Sequence, residues 1–375
     1  MVRKTKVGVT GANGFIGGFL LNNLRLFKTE FSIVEFNRSF FNDTKELDQF
    51  VSKCDVIVHL AALNRHNDPE IIYETNITLV KKIISSLERI NSAAHIIISS
   101  SSQESNKGLY GKSKRDGRLL FSRWANLNQG ILTGMIIPNV YGPFGSPFYN
   151  SVVSTFCHLL SHDKTPVIDV DNEIKLIYVG ELIEEIIKAI REKINSHEFQ
   201  IKHTAQKSVS QILKLLEYYK NDYQNLGVIP KLNNDFELKL FNTFICYLDI
   251  PNYFPKFIIK NSDDRGDFVE IIRNGVSGQT SFSTTLPGIT RGNHFHTRKI
   301  ERFAVIKGKA LIQLRKIGTN QKHEFILEGN KPAYVDMPIW YTHNITNIGK
   351  EPLYTIFWIN EPYNSKNSDT YFELV

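Results

Sequence analysis

The periodicity of the chain changes once, near residue 245, and that change divides it between two kinds of core. Before it, short apolar runs alternate with stretches whose apolar residues recur at helical spacing, the order that builds a parallel sheet flanked by helices. After it come short alternating segments, among them DFVEIIR, GQTSFSTT, RFAVIKGKALIQLRK, AYVDMP and LYTIFWINE, separated by Gly, Pro and Asn turns. These read as an all-β sandwich or barrel. A chain of 375 residues is long for one ordinary core and suits two, and CYLDIPNYFPKF supplies the break. The expected domains are residues 1–247 and 248–375.

Charge narrows the partners. The net charge is +7, but Lys and Arg are interleaved with Asp and Glu, as in KKIISSLERI and ELIEEIIKAIREK. That is the pattern of solvated helix faces. It argues against nucleic acid and leaves a modest positive potential suited to anionic small molecules such as dinucleotides and nucleotide sugars. No apolar run approaches the roughly 18 residues that cross a bilayer, so no membrane partner is expected. The three cysteines, Cys54, Cys157 and Cys246, are far apart and lack CxxC spacing. A reducing compartment and a cytoplasmic location follow.

Residues 6–10, KVGVT, run into GANGFIGGFLLNNLRLF, a strand, a tight turn and a helix. Gly11, Gly14 and Gly17, with Asn13, Phe15 and Ile16 between them, make a turn able to hold a pyrophosphate at a helix N-terminus. The next strand, FSIVEFNR, ends in Asn37 and Arg38. An acid in this region holds the ribose of NAD, a part open to Glu35, whereas Arg38 suits a 2′-phosphate, so NADPH is the expected cofactor. The strand HIIISSSSQES occupies residues 95–105, and Tyr110 follows in a YxxxK spacing with Lys114. One helical turn apart, the two share a face. The ammonium is placed to lower the phenol's pKa and grip the nicotinamide ribose, while the phenol exchanges a proton with the substrate oxygen. Ser101 is the candidate to orient that oxygen, with Ser100 a near alternative.

In this order the segments resemble the extended short-chain dehydrogenase/reductase superfamily over about residues 5–245. The resemblance implies a Rossmann-type doubly wound parallel sheet, and it assigns Leu60, Ala61 and Ala62 of HLAA to the cofactor's phosphates and ribose. IIPNVYGP at 136–143 and LIYVGELIEEI at 176–186 look like that family's substrate-loop and late-strand motifs, which makes Asn139 a substrate contact. Many members carry an arginine shortly before the PN pair. Ile136 and Ile137 stand there in this chain, and Arg65 in NRHND is the candidate replacement.

In the last third, Gly288, His294, His296, Glu301 and Gly308 satisfy the first cupin motif, G(x)5HxH(x)4E(x)6G. His343, followed four residues later by Asn347, resembles the second, with Trp340 in place of its usual glycine. Residues two apart in a strand share a face, so His294 and His296 both point into the expected all-β cupin barrel. Three imidazoles and a carboxylate suit a divalent metal, zinc first, with nickel, manganese and iron compatible. DDRGDFVEI and GITRGNHFH also look like segments of deoxysugar-nucleotide 3,5-epimerases, which are metal-free cupins. By that resemblance Arg265 and Arg291 hold phosphates and His294 is a base. The ligand assignment is preferred because His296 stands where those epimerases usually carry Gln.

A 4-keto sugar reductase and an epimerase acting beside the same ketone form a consistent pair. The ketone acidifies its neighbouring C–H, and hydride delivery then fixes the epimer. Through SSS with YGKSK, PFYNSVVSTFC, DDRGDF, PGITRGNHFH, YTHNITN and DTYF, the chain resembles nearly end to end a family of bifunctional capsular polysaccharide enzymes acting on UDP-2-acetamido-2,6-dideoxy-4-hexuloses. That resemblance implies a UDP-linked 4-keto-6-deoxy amino sugar as substrate, C3 epimerisation, NADPH-dependent C4 reduction, and a homodimer with a zinc-binding cupin. Three other readings stand beside it: a plain reductase whose cupin is a binding or dimerisation module, a nucleotide-sugar dehydratase, and a non-catalytic dinucleotide sensor.

Overall fold

The computed structural model describes residues 3–106, 108–263, 266–269, 271–272, 278–361 and 364–375, with backbone alone over 261–270. The chain forms two compact units, one of Met1–Thr155 and Val170–Val209, the other of Phe156–Asp169 and Ser210–Val375.

In the first unit, strands and helices alternate: β1 (Thr5–Thr10), α1 (Phe15–Leu26), β2 (Phe31–Val34), α2 (Thr44–Lys53), β3 (Val56–His59), α3 (Pro69–Arg89), β4 (His95–Ser101), α4 (Leu109–Asn128) and β5 (Leu132–Ile137). Further along lie β6 (Asn139–Tyr141), α5 (Val152–Ser161), which passes into the second unit at Phe156, then β7 (Glu173–Tyr178), α6 (Val179–Glu192), β8 (Ser196–Gln200) and β9 (Ala205–Ser208). The main sheet is parallel in the order β2-β1-β3-β4-β5-β8. β6, β7 and β9 form a small mixed sheet. The run VIVH of β3 is buried throughout because helices cover both faces of the sheet. Phe50, Ile57, Ile83, Ile96, Phe121 and Leu132 fill the core on one side. The strand order reverses between β1 and β3, and a doubly wound sheet binds ligands outside the carboxyl ends of its strands at such a switch point.

After Phe156–Asp169, the second unit continues with helices α7 (Val209–Tyr219), α8 (Asp235–Ile245) and α9 (Ile250–Tyr253). Its strands are β10 (Lys256–Phe257), β11 (Lys260–Asp263), β12 (Gly266–Val269), β13 (Gln279–Thr285), β14 (Thr290–Phe295) and β15 (Glu301–Lys307). They continue with β16 (Lys309–Lys316), β17 (Lys322–Glu328), β18 (Ala333–Met337), β19 (Tyr341–Asn347), β20 (Leu353–Ile359) and β21 (Tyr371–Phe372). Two antiparallel sheets result, β10-β18-β15-β20-β13 and β17-β16-β19-β14-β21, beside a β11-β12 hairpin. The architecture is therefore α/β followed by antiparallel β, as the change of periodicity implies.

The break near residue 247 and the division into compact units do not coincide, because residues 210–247 group with the β-sheets. The reason is a buried polar knot. Arg302 on β15 donates to both carboxylate oxygens of Asp336 on β18 at 2.8 and 2.9 Å. Tyr223, just after α7, donates its hydroxyl to the same carboxylate at 2.5 Å, and the Gly227 carbonyl accepts from Arg302 at 3.1 Å. Asn242 on α8 donates to the Arg298 carbonyl at 2.8 Å. Among the described residues no helix is long and apolar enough to cross a membrane.

Candidate active site and metal centre

Gly11 leaves the carboxyl end of β1 with φ +76°, and Ala61 follows the end of β3, so both lie at the switch point. A Cβ built on Gly11 would lie 2.7 Å from the Ala61 backbone nitrogen, so only glycine lets the two turns approach this closely. Gly14 caps α1 without any side-chain hydrogen bond to its first turn, which leaves backbone N–H groups and the positive helix end for an anion. Asn13, Phe15, Ile16 and Gly17 lie in that turn and first helical turn, and Leu60 and Ala62 flank Ala61. The cradle fits a dinucleotide pyrophosphate. Gly11→Ala adds about 1–2 kcal/mol of left-handed strain to a steric clash. We expect affinity for the reduced nicotinamide dinucleotide, read by fluorescence titration, to fall at least tenfold; unchanged affinity would remove this turn from the cofactor site.

Beneath the cradle lies a polar relay. His59 Nδ1 and Thr10 Oγ1 are 2.8 Å apart, and burial, assisted by the charge of Lys114, pushes His59 down to about 3. The imidazole is neutral at any physiological pH. Lys114 is 9 % exposed and donates to Ser99 Oγ at 3.2 Å. Burial pulls it down to about 8, with Glu104 acting in the opposite direction.

Tyr110, on the first turn of α4, is half-buried. Burial pushes its phenol up to about 12, Tyr149 adds to the rise, and the Ser101 hydroxyl opposes it. Burial thus moves the phenol in the direction opposite to the lowering that the YxxxK spacing suggests. Strand alternation separates the two candidate serines. Ser101 lies on the Tyr110 side, whereas Ser100 donates to Glu104. Glu104 is further locked by Arg118, whose Nε and a terminal nitrogen reach its two oxygens at 2.8 and 2.7 Å. Despite the burial that opposes it, the carboxyl is held below its usual range by Arg118 and Ser100.

The remaining predicted contacts divide. Asn37 accepts from the backbone and hydroxyl of Ser39, both at 3.0 Å, so its side chain caps the short turn that carries Arg38. Arg38 and Glu35 are exposed. Arg65 donates to the Phe148 carbonyl at 2.7 Å, and Asn139 donates to the Lys175 carbonyl at 3.2 Å. Both side chains are thus engaged with backbone. Sequence reasoning missed Asn76 on α3, which is 4 % exposed and clamps the loop after β3. Its Oδ1 accepts from Leu63 N at 2.7 Å, while its Nδ2 donates to the Leu63 carbonyl and to Ser113 Oγ at 3.0 Å. No local pattern marks an asparagine whose partners lie 13 and 37 positions away.

In the second unit His294, His296, Glu301 and His343 bring one ligand atom each within 4.8 Å of the others. They belong to β14 and its end, β15 and β19, so the two sheets face each other across the cluster. Three imidazole Nε2 atoms converge on a single oxygen, Glu301 Oε2, from 3.0 Å (His343), 3.3 Å (His296) and 3.8 Å (His294). A carbonyl can only accept, so the contacts of His343 Nδ1 with Tyr341 O (3.1 Å) and of His296 Nδ1 with Asp369 O (2.6 Å) place protons on both Nδ1 atoms. With Nδ1 committed to a carbonyl, Nε2 is the ring nitrogen of each that could coordinate an ion in place of its contact with Glu301 Oε2. His296 Nε2 is buried, with Glu301 Oε2 at 3.3 Å but outside good hydrogen-bond alignment. The donor set fits a borderline divalent ion such as zinc.

Two backbone devices aim these ligands. β14 carries a bulge between Gly292 and His294, with Gly292 at φ +98° and Asn293 at +55°, which re-aims the strand one residue before the first ligand. Trp340 holds the position where the motif has glycine and adopts φ +62°. That conformation costs a side chain about 1–2 kcal/mol; here it is offset by a ring 4 % exposed, 5.4 Å from Phe295, and an N–H donated to the His296 carbonyl at 2.7 Å. Arg291 donates to Thr285 Oγ1 and the Thr284 carbonyl at 3.1 and 3.0 Å, tying β14 to β13. Arg265 lies outside the described residues.

A parallel sheet with a glycine cradle at its switch point and a Ser, Tyr, Lys set on β4 and α4 defines a nicotinamide-dependent enzyme class. The chain belongs to the NAD dependent epimerase/dehydratase family, which matches residues 7–201, and the polysaccharide biosynthesis C-terminal domain matches residues 261–371. Over 98 % of both chains it is a 32 % identical homologue of the UDP-2-acetamido-2,6-beta-L-arabino-hexul-4-ose reductase of Pseudomonas aeruginosa. The crystal structure of the capsular polysaccharide assembling protein CapF from Staphylococcus aureus is similar with a TM-score of 0.63 and 32 % identity, covering 99 % of this chain and 100 % of that one. The spore coat polysaccharide biosynthesis protein SpsL of Bacillus subtilis is 26 % identical over 30 % of this chain and 82 % of its own.

Proposed function

We propose that the chain is a two-activity nucleotide-sugar enzyme. The β-sheet unit, a cupin in our reading, epimerises C3 of a UDP-2-acetamido-2,6-dideoxy-4-hexulose, and the parallel-sheet unit reduces C4 with NADPH, in making a capsule or surface polysaccharide precursor. The similarity to the Pseudomonas aeruginosa reductase supports the substrate class. One observation carries the reaction type: the Tyr110 phenol and the Ser101 hydroxyl stand side by side, two donors able to share one substrate oxygen, with Lys114 one turn along the same helix.

The chemistry follows from these residues. Bound NADPH supplies the hydride to C4. The Tyr110 phenol gives its proton to O4 as negative charge develops there, and Ser101 donates to the same oxygen and orients it. Lys114, near a pKa of 8, returns a proton to the tyrosinate and holds the ribose hydroxyls. Dehydration needs a free acidic pair beside the serine. The bidentate pairing of Glu104 with Arg118 withdraws the acid nearest to it, which supports reduction.

In the β-sheet unit the C4 ketone acidifies C3–H. A base removes that proton, and a proton returns from the opposite face with no net redox change. When bound, a divalent ion supplies positive charge at the cluster. The convergence of His294 with the other two imidazoles on Glu301 supports a ligand role for all three, so the base is another group. The same convergence favours one second reading, in which the metal is structural and the β-sheet unit is a binding module.

Incubating the full chain with a UDP-4-keto-6-deoxy-HexNAc in D2O separates these readings. We expect deuterium at C3 without NADPH, and one NADPH oxidised per product when it is added. Oxidation without C3 exchange leaves the plain reductase, and neither signal rejects the proposal.

A further inference from the structure

We propose that Asp369 is the positioning residue of the metal cluster, setting both the tautomer of His296 and the spacing between ligands carried by different sheets. This deepens the reading that His294, His296, Glu301 and His343 hold a divalent ion, and it rests on that reading. Asp369 is 4 % exposed and adopts φ +47°, a left-handed conformation that must be held by its surroundings. Each of its polar oxygens is used. The backbone carbonyl accepts His296 Nδ1–H at 2.6 Å. Carboxylate Oδ1 accepts from Thr297 N at 3.1 Å and Thr297 Oγ1 at 2.6 Å, and Oδ2 accepts from Arg298 N at 3.0 Å and Lys299 N at 3.2 Å.

Residues 297–299 make up three of the four residues that link His296, at the end of β14, to Glu301, the first residue of β15. Their backbone direction therefore fixes how far the imidazole of one sheet stands from the carboxylate of the other. Three consecutive N–H groups gathered on one carboxylate make a rigid turn, and charge-assisted bonds of this kind are about twice as strong as neutral ones. The segment bearing Asp369 is itself anchored on the ligand strand, because β21 pairs with β14 at His294 and Phe295. His343 needs no such help, since its Nδ1–H is fixed two residues away by Tyr341. His296 depends on a partner 73 positions distant.

The test uses the full chain stripped of metal and reloaded. Zinc affinity is measured by competition with a chromophoric chelator, cobalt(II) absorption reports coordination geometry, and NADPH titration checks the other unit. Asp369→Ala should weaken zinc binding about 10–100-fold, the range seen when outer-shell partners of metal ligands are removed. It should also reduce the intensity of the tetrahedral cobalt bands and leave NADPH affinity unchanged. Both variants keep the backbone carbonyl; Asp369→Asn, which also keeps one side-chain acceptor for the 297–299 turn, should lose less and decides the matter if the alanine variant does not fold. A purely structural aspartate would lower the melting temperature of both variants while their folded fraction bound zinc as tightly, and with the same cobalt spectrum, as the parent. That result overturns the proposal alone. A parent chain that binds neither zinc nor cobalt overturns the metal reading with it.

Discussion

Tyr110→Phe should abolish nearly all NADPH-dependent reduction, lowering kcat about 10²–10⁴-fold, the range expected when a positioned proton donor is lost. The ring still fills its half-buried site, so NADPH affinity should stay within a few-fold of the parent. C3 deuterium incorporation should persist, because the residues read as the epimerase belong to the other unit. The pH profile has a definite sign. Tyr110, pushed up to about 12, keeps its proton through the alkaline range, whereas Lys114, pulled down to about 8, loses its own. In the parent, kcat/KM for reduction should therefore fall as pH rises through about 8. Steady-state assays of both proteins between pH 6 and 10 check this. A phenylalanine variant retaining a tenth of the parent's rate removes Tyr110 from the chemistry.

Asp336→Ala should destabilise the β-sheet unit by about 3–5 kcal/mol, the cost of leaving one partner of a buried ion pair uncompensated. Both side chains of the pair are 2 % exposed, so neither reaches water when the other is removed. The Arg302 guanidinium lies 3.7 Å above the Tyr334 ring and donates to the Gly227 carbonyl, but neither contact neutralises it. Tyr223 also loses its acceptor. The double replacement Arg302→Met with Asp336→Leu should recover much of the loss, since a well-packed apolar pair removes the unpaired charge. Chemical denaturation of the three proteins decides the point. A single variant within 1 kcal/mol of the parent would mean that water or rearrangement satisfies Arg302.

What could be read in the sequence was whatever depends on spacing within one element or across one turn. The glycine turn, YxxxK on a helix, HxH beside a strand and the switch from helical to alternating periodicity are local regularities, because backbone geometry converts a fixed interval into a shared face. His294, His296 and Glu301 fall in this class through one motif, whereas His343 came from a second motif about forty residues on, and the structure brings all four together. Ser100 and Ser101 did not separate in the sequence, since a run of serines gives no register. They separate once Glu104 and Tyr110 are seen on opposite faces.

The sequence alone determined which groups are present and in which kind of element each sits. Tertiary structure decided their electrostatics and their supports. It raised Tyr110 by burial where spacing suggested lowering, engaged Arg65 with the Phe148 carbonyl, and withdrew Glu104 into a pair with Arg118. It also placed Asp369 under His296 and joined residues 113 positions apart through Tyr223 and Asp336. Desolvation and long-range hydrogen bonds depend on what surrounds a group in space, and no local interval along the chain encodes that.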